Sequence, residues 1–430
     1  MKKAHCPIRK VNQEDEYNYF FGYYDKCPWN ERETKVLCHR TNILNRFPNS
    51  DDVCQVGVID LLTNDFFLID YTTAWNWQQG AQLQWIKWEG KECAIYNVRE
   101  DGKIHARIYD FEDCKRIDLS SSVYSISIDG KHASTLNYAR LYDCRKDYGI
   151  SGISDPWFSD PSPKDDGVYM VNLQKDTSKL IISTSYLEST HINPSSIHCF
   201  KQRENHIMFN PSGTRFCFMH RYFTAGNIQQ SRLFTSDLDG KDVRLLFEGF
   251  VSHYDWQDDE TILAWAGKRK LIASDDSKKI SPMKMIKKCL KPIYYALGKP
   301  RILMQKIMGD SYYLITDIDI RQNSTTDNCK RIGDGILYCD GHCTFSPDRR
   351  WILTDGYTDS HNRLPLFLFD TKTKELYEIG RYHTPKELDG ELRIDLHPRF
   401  NHDGTKVYID SGMEGKRDMF IVDVSQIINI

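Results

Sequence analysis

Four histidines occupy the same position of a repeated segment, and histidine can bind a metal or transfer a proton at neutral pH. Each lies three residues before an aromatic residue that opens a polar turn. The pairs are His206 with Phe209, His253 with Trp256, His342 with Phe345, and His397 with Phe400. A short apolar segment follows each turn, so each copy predicts a strand, a turn and a second strand. Equivalent strands arranged around one axis would bring the four imidazoles together.

Three weaker copies complete the repeat, with Lys26, Gln82 and Tyr124 at the histidine position. The residues that open the turns, which we call the anchors, are Trp29, Trp85, Ser127, Phe209, Trp256, Phe345 and Phe400. Further alternating strands separate them, and about four strands in each unit are typical of a β-propeller. The sequence therefore predicts an all-β fold, a propeller of seven blades. The residues three positions before the anchors should surround one mouth of its channel.

The composition agrees with a single domain over residues 1–430. The chain contains 24 Tyr, 20 Phe and 9 Trp, which suits packing between sheets. A net charge of −3 gives no field that favours nucleic acid, so we expect no such partner. The first ten residues lack the apolar run of a signal peptide, which predicts a cytoplasmic location. The 13 cysteines form no C-x-x-C pair, which argues against a structural zinc site.

Residues 278–306 differ from the repeats. This range contains nine lysines or arginines and no acidic residue, interleaved with Met, Ile, Leu and Tyr. The pattern predicts a basic amphipathic insertion between the fifth and sixth blades, with helical pieces on either side of Pro292. One interpretation is a surface excursion whose apolar side packs on the rim of the propeller. The other is a segment that docks on an anionic membrane surface or another polyanion.

Other residues able to do chemistry stand beside the repeated histidines or in the loop that precedes the second anchor. They are His220, Arg221, Tyr254, Tyr24 and Gln79. Any one of the histidines alone fits a structural role as a hydrogen-bonding residue. Four histidines at one register instead favour metal ligation by neutral imidazoles or proton transfer.

Several segments resemble the oligogalacturonate lyase family and, more broadly, the seven-bladed propeller polysaccharide lyases. They are Trp75-Asn-Trp-Gln-Gln-Gly80, the stretch from His206 to His220, Ser252-His-Tyr-Asp-Trp256, and Gly341-His-Cys-Thr-Phe-Ser-Pro-Asp348. The resemblance implies β-elimination on uronate-containing oligosaccharides. It also implies a manganese ion held mainly by histidines, with a histidine and an arginine assisting proton removal. The sequence departs from the family pattern after His342, where Cys343 follows and no second histidine is close by.

The resemblance implies metal ligation by His253 and His342, and we expect His397, at the same register, to join them. It also implies roles in proton removal or carboxylate recognition for two neighbouring residues near the fourth anchor, His220 and Arg221. The predicted catalytic residues are therefore His206 or His220 as base, Arg221 for the carboxylate, and Tyr254. The predicted substrate-binding residues are Lys26, Tyr24, Gln79 and Gln82. A cation or arginine at the uronate carboxylate would stabilise the charge that develops there.

Two other functions stay open. A propeller without catalysis would bind a glycan or a protein in polysaccharide biosynthesis or export, which a cytoplasmic location would suit. A propeller hydrolase is disfavoured because the sequence has no G-x-S-x-G nucleophile motif. A lyase should bind a divalent metal ion and release unsaturated products from an acidic oligosaccharide, whereas a binding module should do neither.

Overall fold

The computed structural model describes residues 1–43, 45–190, 201–223, 229–267, 309–322 and 328–429. Within these ranges the chain is built from short strands with few helices, which confirms the predicted all-β class. The helices are α1 (Tyr138–Cys144), α2 (Thr184–Ser189) and α3 (Ser425–Ile428), and a 3-10 turn covers Gly390–Leu392. The predicted insertion at 278–306 lies outside the described residues.

Most of the strands follow one another as antiparallel neighbours. The strands of the first half are β1 (Lys2–Lys3), β2 (Ile8–Lys10), β3 (Asn18–Phe20), β4 (Lys35–Thr41), β5 (Cys54–Asp60), β6 (Phe66–Thr72), β7 (Gln84–Trp88), β8 (Lys91–Glu100), β9 (Lys103–Asp110), β10 (Lys115–Asp118), β11 (Ser125–Ile126), β12 (His132–Thr135), β13 (Gly167–Asn172) and β14 (Thr177–Ser183). Three separate four-stranded sheets result, formed by β3–β6, β7–β10 and β11–β14 in chain order.

The second half continues this pattern. Its strands are β15 (Arg203–Phe209), β16 (Arg215–Phe223), β17 (Gln229–Asp237), β18 (Arg244–Trp256), β19 (Thr261–Gly267), β20 (Ser311–Thr316), β21 (Cys329–Arg331), β22 (Thr344–Phe345), β23 (Trp351–Asp355), β24 (Arg363–Asp370), β25 (Leu376–His383), β26 (Arg399–Phe400), β27 (Lys406–Ser411) and β28 (Asp418–Asp423). Strands β15–β21 form one seven-stranded sheet, and β22–β25 and β26–β28 belong to two further sheets.

The seven-stranded sheet changes direction within β18. The first part of this strand, up to Gly249, pairs with β17, and the part from Phe250 onward pairs with β19. Gly249 has a φ of 144°, a conformation that favours glycine. The sheet therefore consists of two four-stranded meanders that share one long strand.

The N-terminal strands complete the last two sheets. β2 pairs antiparallel with β28, while β1 pairs parallel with β25. One apolar cluster joins Val36 of β4 to Tyr408 of β27 and Met419 of β28, so the first and last sheets share a core. Among the described residues, no helix has the length and hydropathy needed to cross a membrane.

The turns after the anchors use one recurring hydrogen-bond pattern. In three copies an asparagine follows the anchor, and in two of them its side-chain oxygen accepts two backbone N–H groups, four and five residues later. These asparagines are Asn30, Asn210 and Asn401, of which Asn401 has one such bond, from Lys406. Asparagine favours such turns because its short amide can replace a backbone acceptor. The repeat predicted from the sequence is thus built by the same local chemistry.

Candidate functional site

The backbone is irregular where the repeat places its histidine position. Gln82, His206 and His397 have φ values of 58°, 56° and 43°, in the left-handed region that non-glycine residues seldom adopt. Strand β15 has a bulge between Asn205 and Met208, which includes His206. Such outliers are common at functional sites because a bulge redirects a side chain.

The four histidines lie side by side around two tyrosines. The ring centroid of His342 is 4.2 Å from that of His253 and 4.4 Å from that of His397. Tyr23 lies 4.9 Å from His206 and 5.2 Å from His397, also between ring centroids. Residues from distant parts of the chain therefore meet in one cluster, which we call the histidine cluster (His206, His253, His342 and His397).

Carboxylates fix two of these rings. The Nδ1 atom of His342 is 2.9 Å from Asp355 Oδ2, and its backbone N–H donates to Asp355 Oδ1 at 2.7 Å. The Nδ1 atom of His253 is 2.9 Å from Asp340 Oδ1. A carboxylate at Nδ1 sets the tautomer and leaves Nε2 to accept a proton or a metal ion.

Burial and these carboxylates set the charge of the histidine cluster. Burial holds the pKa of His206 and of His397 well below the usual value. Burial also lowers the pKa of His253, which Asp340 offsets in part. For His342 burial acts in the same direction, but the Asp355 carboxylate outweighs it and the pKa is raised. The other three imidazoles are thereby kept neutral.

His342, Asp395 and His397 form a set of donors suited to a metal ion. One donor atom from each lies within 4.8 Å of the others. The Nε2 atoms of His342 and His397 are buried and have no hydrogen-bond partner among the described residues. Two imidazoles and a carboxylate fit a divalent first-row ion such as Mn²⁺. His253, the third ligand predicted from the sequence, adjoins His342, and Asp395 completes the set of donors.

A cavity of about 360 Å³, which we call the arginine cavity, opens beside the histidine cluster. Its lining includes Arg145, Arg221, Arg393, His206, His253 and Tyr23. Helix α1 begins after its N-cap Asn137 and ends at Arg145, which brings that guanidinium to the cavity wall. Arg145 pairs with Asp147 at 3.0 Å, and Arg393 pairs with Asp395 at 2.8 Å.

Arg221 has no such partner. Its Nε atom donates to Met219 Sδ at 2.7 Å, and no carboxylate among the described residues lies within 4.0 Å of its guanidinium. The residue is only 8% exposed. A buried guanidinium without a counter-charge is costly, so an acidic ligand in this cavity would be stabilised.

The other end of the fold holds a larger cavity of about 1000 Å³, the anchor cavity. Its lining includes all seven anchors. Two predicted substrate contacts, Lys26 and Tyr24, lie here and not in the arginine cavity. The Lys26 ammonium pairs with Asp25 at 2.9 Å, and Arg399 Nε donates to the Tyr23 carbonyl oxygen at 2.9 Å.

The predicted contacts Gln79 and Gln82 belong to an internal hydrogen-bond chain. Gln82 Nε2 donates to Gln79 Oε1 at 2.9 Å, and Gln79 Nε2 donates to Tyr124 Oη at 2.6 Å. That hydroxyl oxygen in turn accepts the His206 backbone N–H at 2.9 Å. Both glutamines are buried, and this series of hydrogen bonds holds the backbone N–H of His206 through the Tyr124 hydroxyl.

Two predicted catalytic residues lie away from the arginine cavity. His220 precedes Arg221 in β16 and therefore faces the opposite side of the sheet, where its Nδ1 atom is 3.1 Å from Arg232 Nη2. Tyr254 stacks on His206 at 4.2 Å between ring centroids, and its hydroxyl donates to the His206 carbonyl oxygen. Of these three predicted residues, His206 lines the arginine cavity together with Arg221, whereas His220 and Tyr254 do not line it.

Sequence reasoning missed five charged residues of the site. They are Arg145, Asp340, Asp355, Arg393 and Asp395. Asp395 stands two residues before His397, and this spacing was a usable signal. Asp355 is the last residue of the strand after the sixth anchor, at the position of Met219 near the fourth.

The described fold is thus an all-β array of meanders with a central histidine cluster and a cation-lined cavity. No family model matches the sequence, and no curated protein matches it either. A solved oligogalacturonate lyase in complex with manganese matches with a TM-score of 0.59 at 12% identity, covering 98% of each chain. An oligogalacturonate lyase from Vibrio parahaemolyticus matches with a TM-score of 0.59 at 11% identity, covering 99% of each chain. The resemblance predicted from the sequence is therefore confirmed as a shared fold over the whole chain.

Proposed function

We propose that this protein cleaves uronate-containing oligosaccharides by β-elimination in the arginine cavity. The observation that carries the proposal is the uncompensated Arg221 guanidinium beside the neutral His206 imidazole, next to the donor set of His342, Asp395 and His397. Arg221 and His206 line the arginine cavity and supply an anion site and a proton acceptor. The donor set adjoins this cavity through His253 and Arg393, which line it and contact His342 and Asp395. The oligogalacturonate lyase fold supports the same function.

We further propose that the sheets are the seven blades of a propeller. Division of the seven-stranded sheet within β18 leaves seven meanders in chain order. The core shared by the first and last sheets supports closure of the ring. The pairing of β2 with β28 would then hold the ring closed, because it covers the hydrogen-bonding edge that β28 would otherwise expose.

The reaction needs one base and one anion site. The base removes the proton on the carbon beside the carboxylate, and the electron pair forms a carbon–carbon double bond. The bond between the next carbon and the glycosidic oxygen breaks, and that oxygen takes a proton from solvent. His206 is the proposed base because its buried Nε2 atom has no hydrogen-bond partner among the described residues. Arg221 holds the substrate carboxylate, where charge accumulates as the proton is removed.

His342, Asp395 and His397 would hold a divalent metal ion. When bound, such an ion would withdraw negative charge from the substrate carboxylate. Asp355 keeps the His342 ring oriented by its two hydrogen bonds, to Nδ1 and to the backbone N–H. Arg393 holds Asp395 from the side of the arginine cavity.

The test combines metal analysis with turnover. The purified protein should contain about one divalent ion per chain and should release unsaturated products, detected by ultraviolet absorbance, from at least one uronate in a panel of oligosaccharides. The variant His206→Asn should keep the metal and lose turnover. Binding of an oligosaccharide without turnover would instead favour a glycan-binding propeller, and absence of both would refute the proposal.

A further inference from the structure

Arg221 faces a second buried arginine. In the antiparallel pair of β15 and β16, Arg203 is the direct partner of Arg221, so both side chains stand on one side of the sheet. Arg203 is 2% exposed and Arg221 is 8% exposed. Arg203 Nη2 donates to Gln229 Oε1 at 3.1 Å, and Gln229 lines the arginine cavity.

Neither guanidinium of this pair has a carboxylate within 4.0 Å in the described part of the chain. The Cys144 side chain interacts with Arg203, but burial raises the pKa of that thiol, so it does not balance the arginine charge at neutral pH. The other two arginines of the cavity differ, because Arg145 and Arg393 are each paired with an aspartate.

The two positive charges of Arg203 and Arg221 repel each other. Burial lowers the pKa of Arg203 to about 10, with Cys144 acting in the opposite direction and the Arg221 charge adding to the decrease, so both side chains are still cationic at neutral pH. A single carboxylate would balance only one of these two charges. The Gln229 amide oxygen is occupied by Arg203, which leaves the amide NH₂ group to donate toward a ligand in the cavity.

We propose that Arg203 and Arg221 form a subsite for two negative charges, and that the ligand is an oligosaccharide with acidic groups on two adjacent residues. This inference rests on the proposed function. Arg221 contacts the ligand directly. Arg203 is a positioning residue that supplies the second charge and orients the Gln229 amide.

The first experiment needs no sugar. Inorganic sulfate and chloride are compared at equal ionic strength by thermal unfolding of the wild type, Arg203→Met, Arg203→Lys and the control Arg331→Met. Arg331 is on the surface, with a side chain that is 51% exposed. Sulfate should raise the unfolding temperature of the wild type and of Arg331→Met. Arg203→Met should lose most of this increase, and Arg203→Lys should keep part of it.

The second experiment identifies the ligand class. Binding of digalacturonate and of its monomethyl ester is measured by calorimetry on the same four proteins. The wild type should bind the diacid about tenfold more tightly than the monoester, because the second charge is matched. Arg203→Met should lower this ratio to about two without weakening the monoester further, and Arg203→Lys should restore it in part.

The two experiments separate two kinds of failure. If sulfate stabilises the protein through Arg203 but neither disaccharide binds, the subsite stands as an anion site while its uronate ligand and the proposed function fail. If both disaccharides bind with equal affinity, and Arg203→Met responds to sulfate as the wild type does, the paired subsite is wrong and the single-carboxylate site at Arg221 remains. Because Arg203→Met removes a buried uncompensated charge, it should fold at least as well as the wild type.

Discussion

The two cavities of this fold use similar side chains for different purposes. In the anchor cavity, Lys26 is paired with Asp25, and Arg399 donates to the carbonyl oxygens of Gly22 and Tyr23. In the arginine cavity, Arg221 has no carboxylate among the described residues. Lys26 and two of the three Arg399 nitrogens bond to groups of the protein, although Arg399 Nη1 has no hydrogen-bond partner among the described residues, whereas Arg221 Nε donates only to a thioether.

This difference separates structural from functional residues better than residue type does. Buried polar groups are nearly always hydrogen-bonded, so an exception needs an explanation. The same contrast holds for histidines. His402, at the anchor cavity, contacts the Asn30 carbonyl oxygen at 3.2 Å through Nε2, while the Nε2 atoms of His342 and His397 have no described partner.

The largest expected effect comes from removal of a histidine of the donor set. His342→Ala or His397→Ala should abolish binding of a divalent ion and lower turnover on the order of 10²–10³-fold, because one ligand and its charge compensation are lost. Metal content by mass spectrometry and Mn²⁺ resonance measure the binding. His402→Ala is the matched control, and loss of metal in that variant would place the ion in the anchor cavity.

Replacement of Arg399 and replacement of Arg221 should have different effects on the free energy of unfolding. Arg399→Met should lower the free energy of unfolding by about 2–3 kcal/mol, because two backbone carbonyl groups lose buried donors. Arg221→Met should leave the free energy of unfolding unchanged or raised and should weaken binding of acidic oligosaccharides. Urea unfolding and calorimetry test the pair, and a destabilised Arg221→Met would make that residue structural.

A smaller effect is expected from the carboxylate behind His342. Asp355→Asn keeps the shape of the side chain but weakens its hold on the Nδ1–H group, so metal affinity should fall by about 10–100-fold. Calorimetric titration with Mn²⁺ measures this change, with Asp348→Asn in a surface turn as control. An unchanged affinity would mean that Asp355 serves only the backbone of His342.

The smallest effect is expected in the anchor cavity. Ile128 lines this cavity and is 79% exposed. Ile128→Gln should change the free energy of unfolding by less than about 0.5 kcal/mol and leave turnover unchanged. A marked loss of turnover in this variant would show that ligands also use the anchor cavity.

The repeat was predictable because its signals are local. An aromatic anchor and a turn residue such as Asn210 determine one strand–turn–strand unit, and equal spacing transfers the histidine position from copy to copy. The meeting of His342 with His397 follows from this register. Gln79 and Gln82 were harder to assign, because only the fold shows that their amides bond to each other and to Tyr124.

Which of the two cavities a residue lines could not be predicted. Tyr23 and Tyr24 are neighbours in the chain, yet Tyr23 lines the arginine cavity and Tyr24 lines the anchor cavity. His220 and Arg221 are separated in the same way by the alternation of a strand. Asp395 and His397 come together where the backbone at His397 has a left-handed φ. No glycine next to His397 signals this conformation in the sequence.

The pairing of β1 and β2 with strands near the end of the sequence has a consequence for biosynthesis. Residues 2–10 leave the ribosome long before their partners β25 and β28. The final two sheets therefore stay incomplete during translation, with exposed edges that can pair with other chains. A peptide fused before these residues would lie beside the pairs of β1 with β25 and of β2 with β28, which form late. Its length and charge should therefore affect the yield of folded protein.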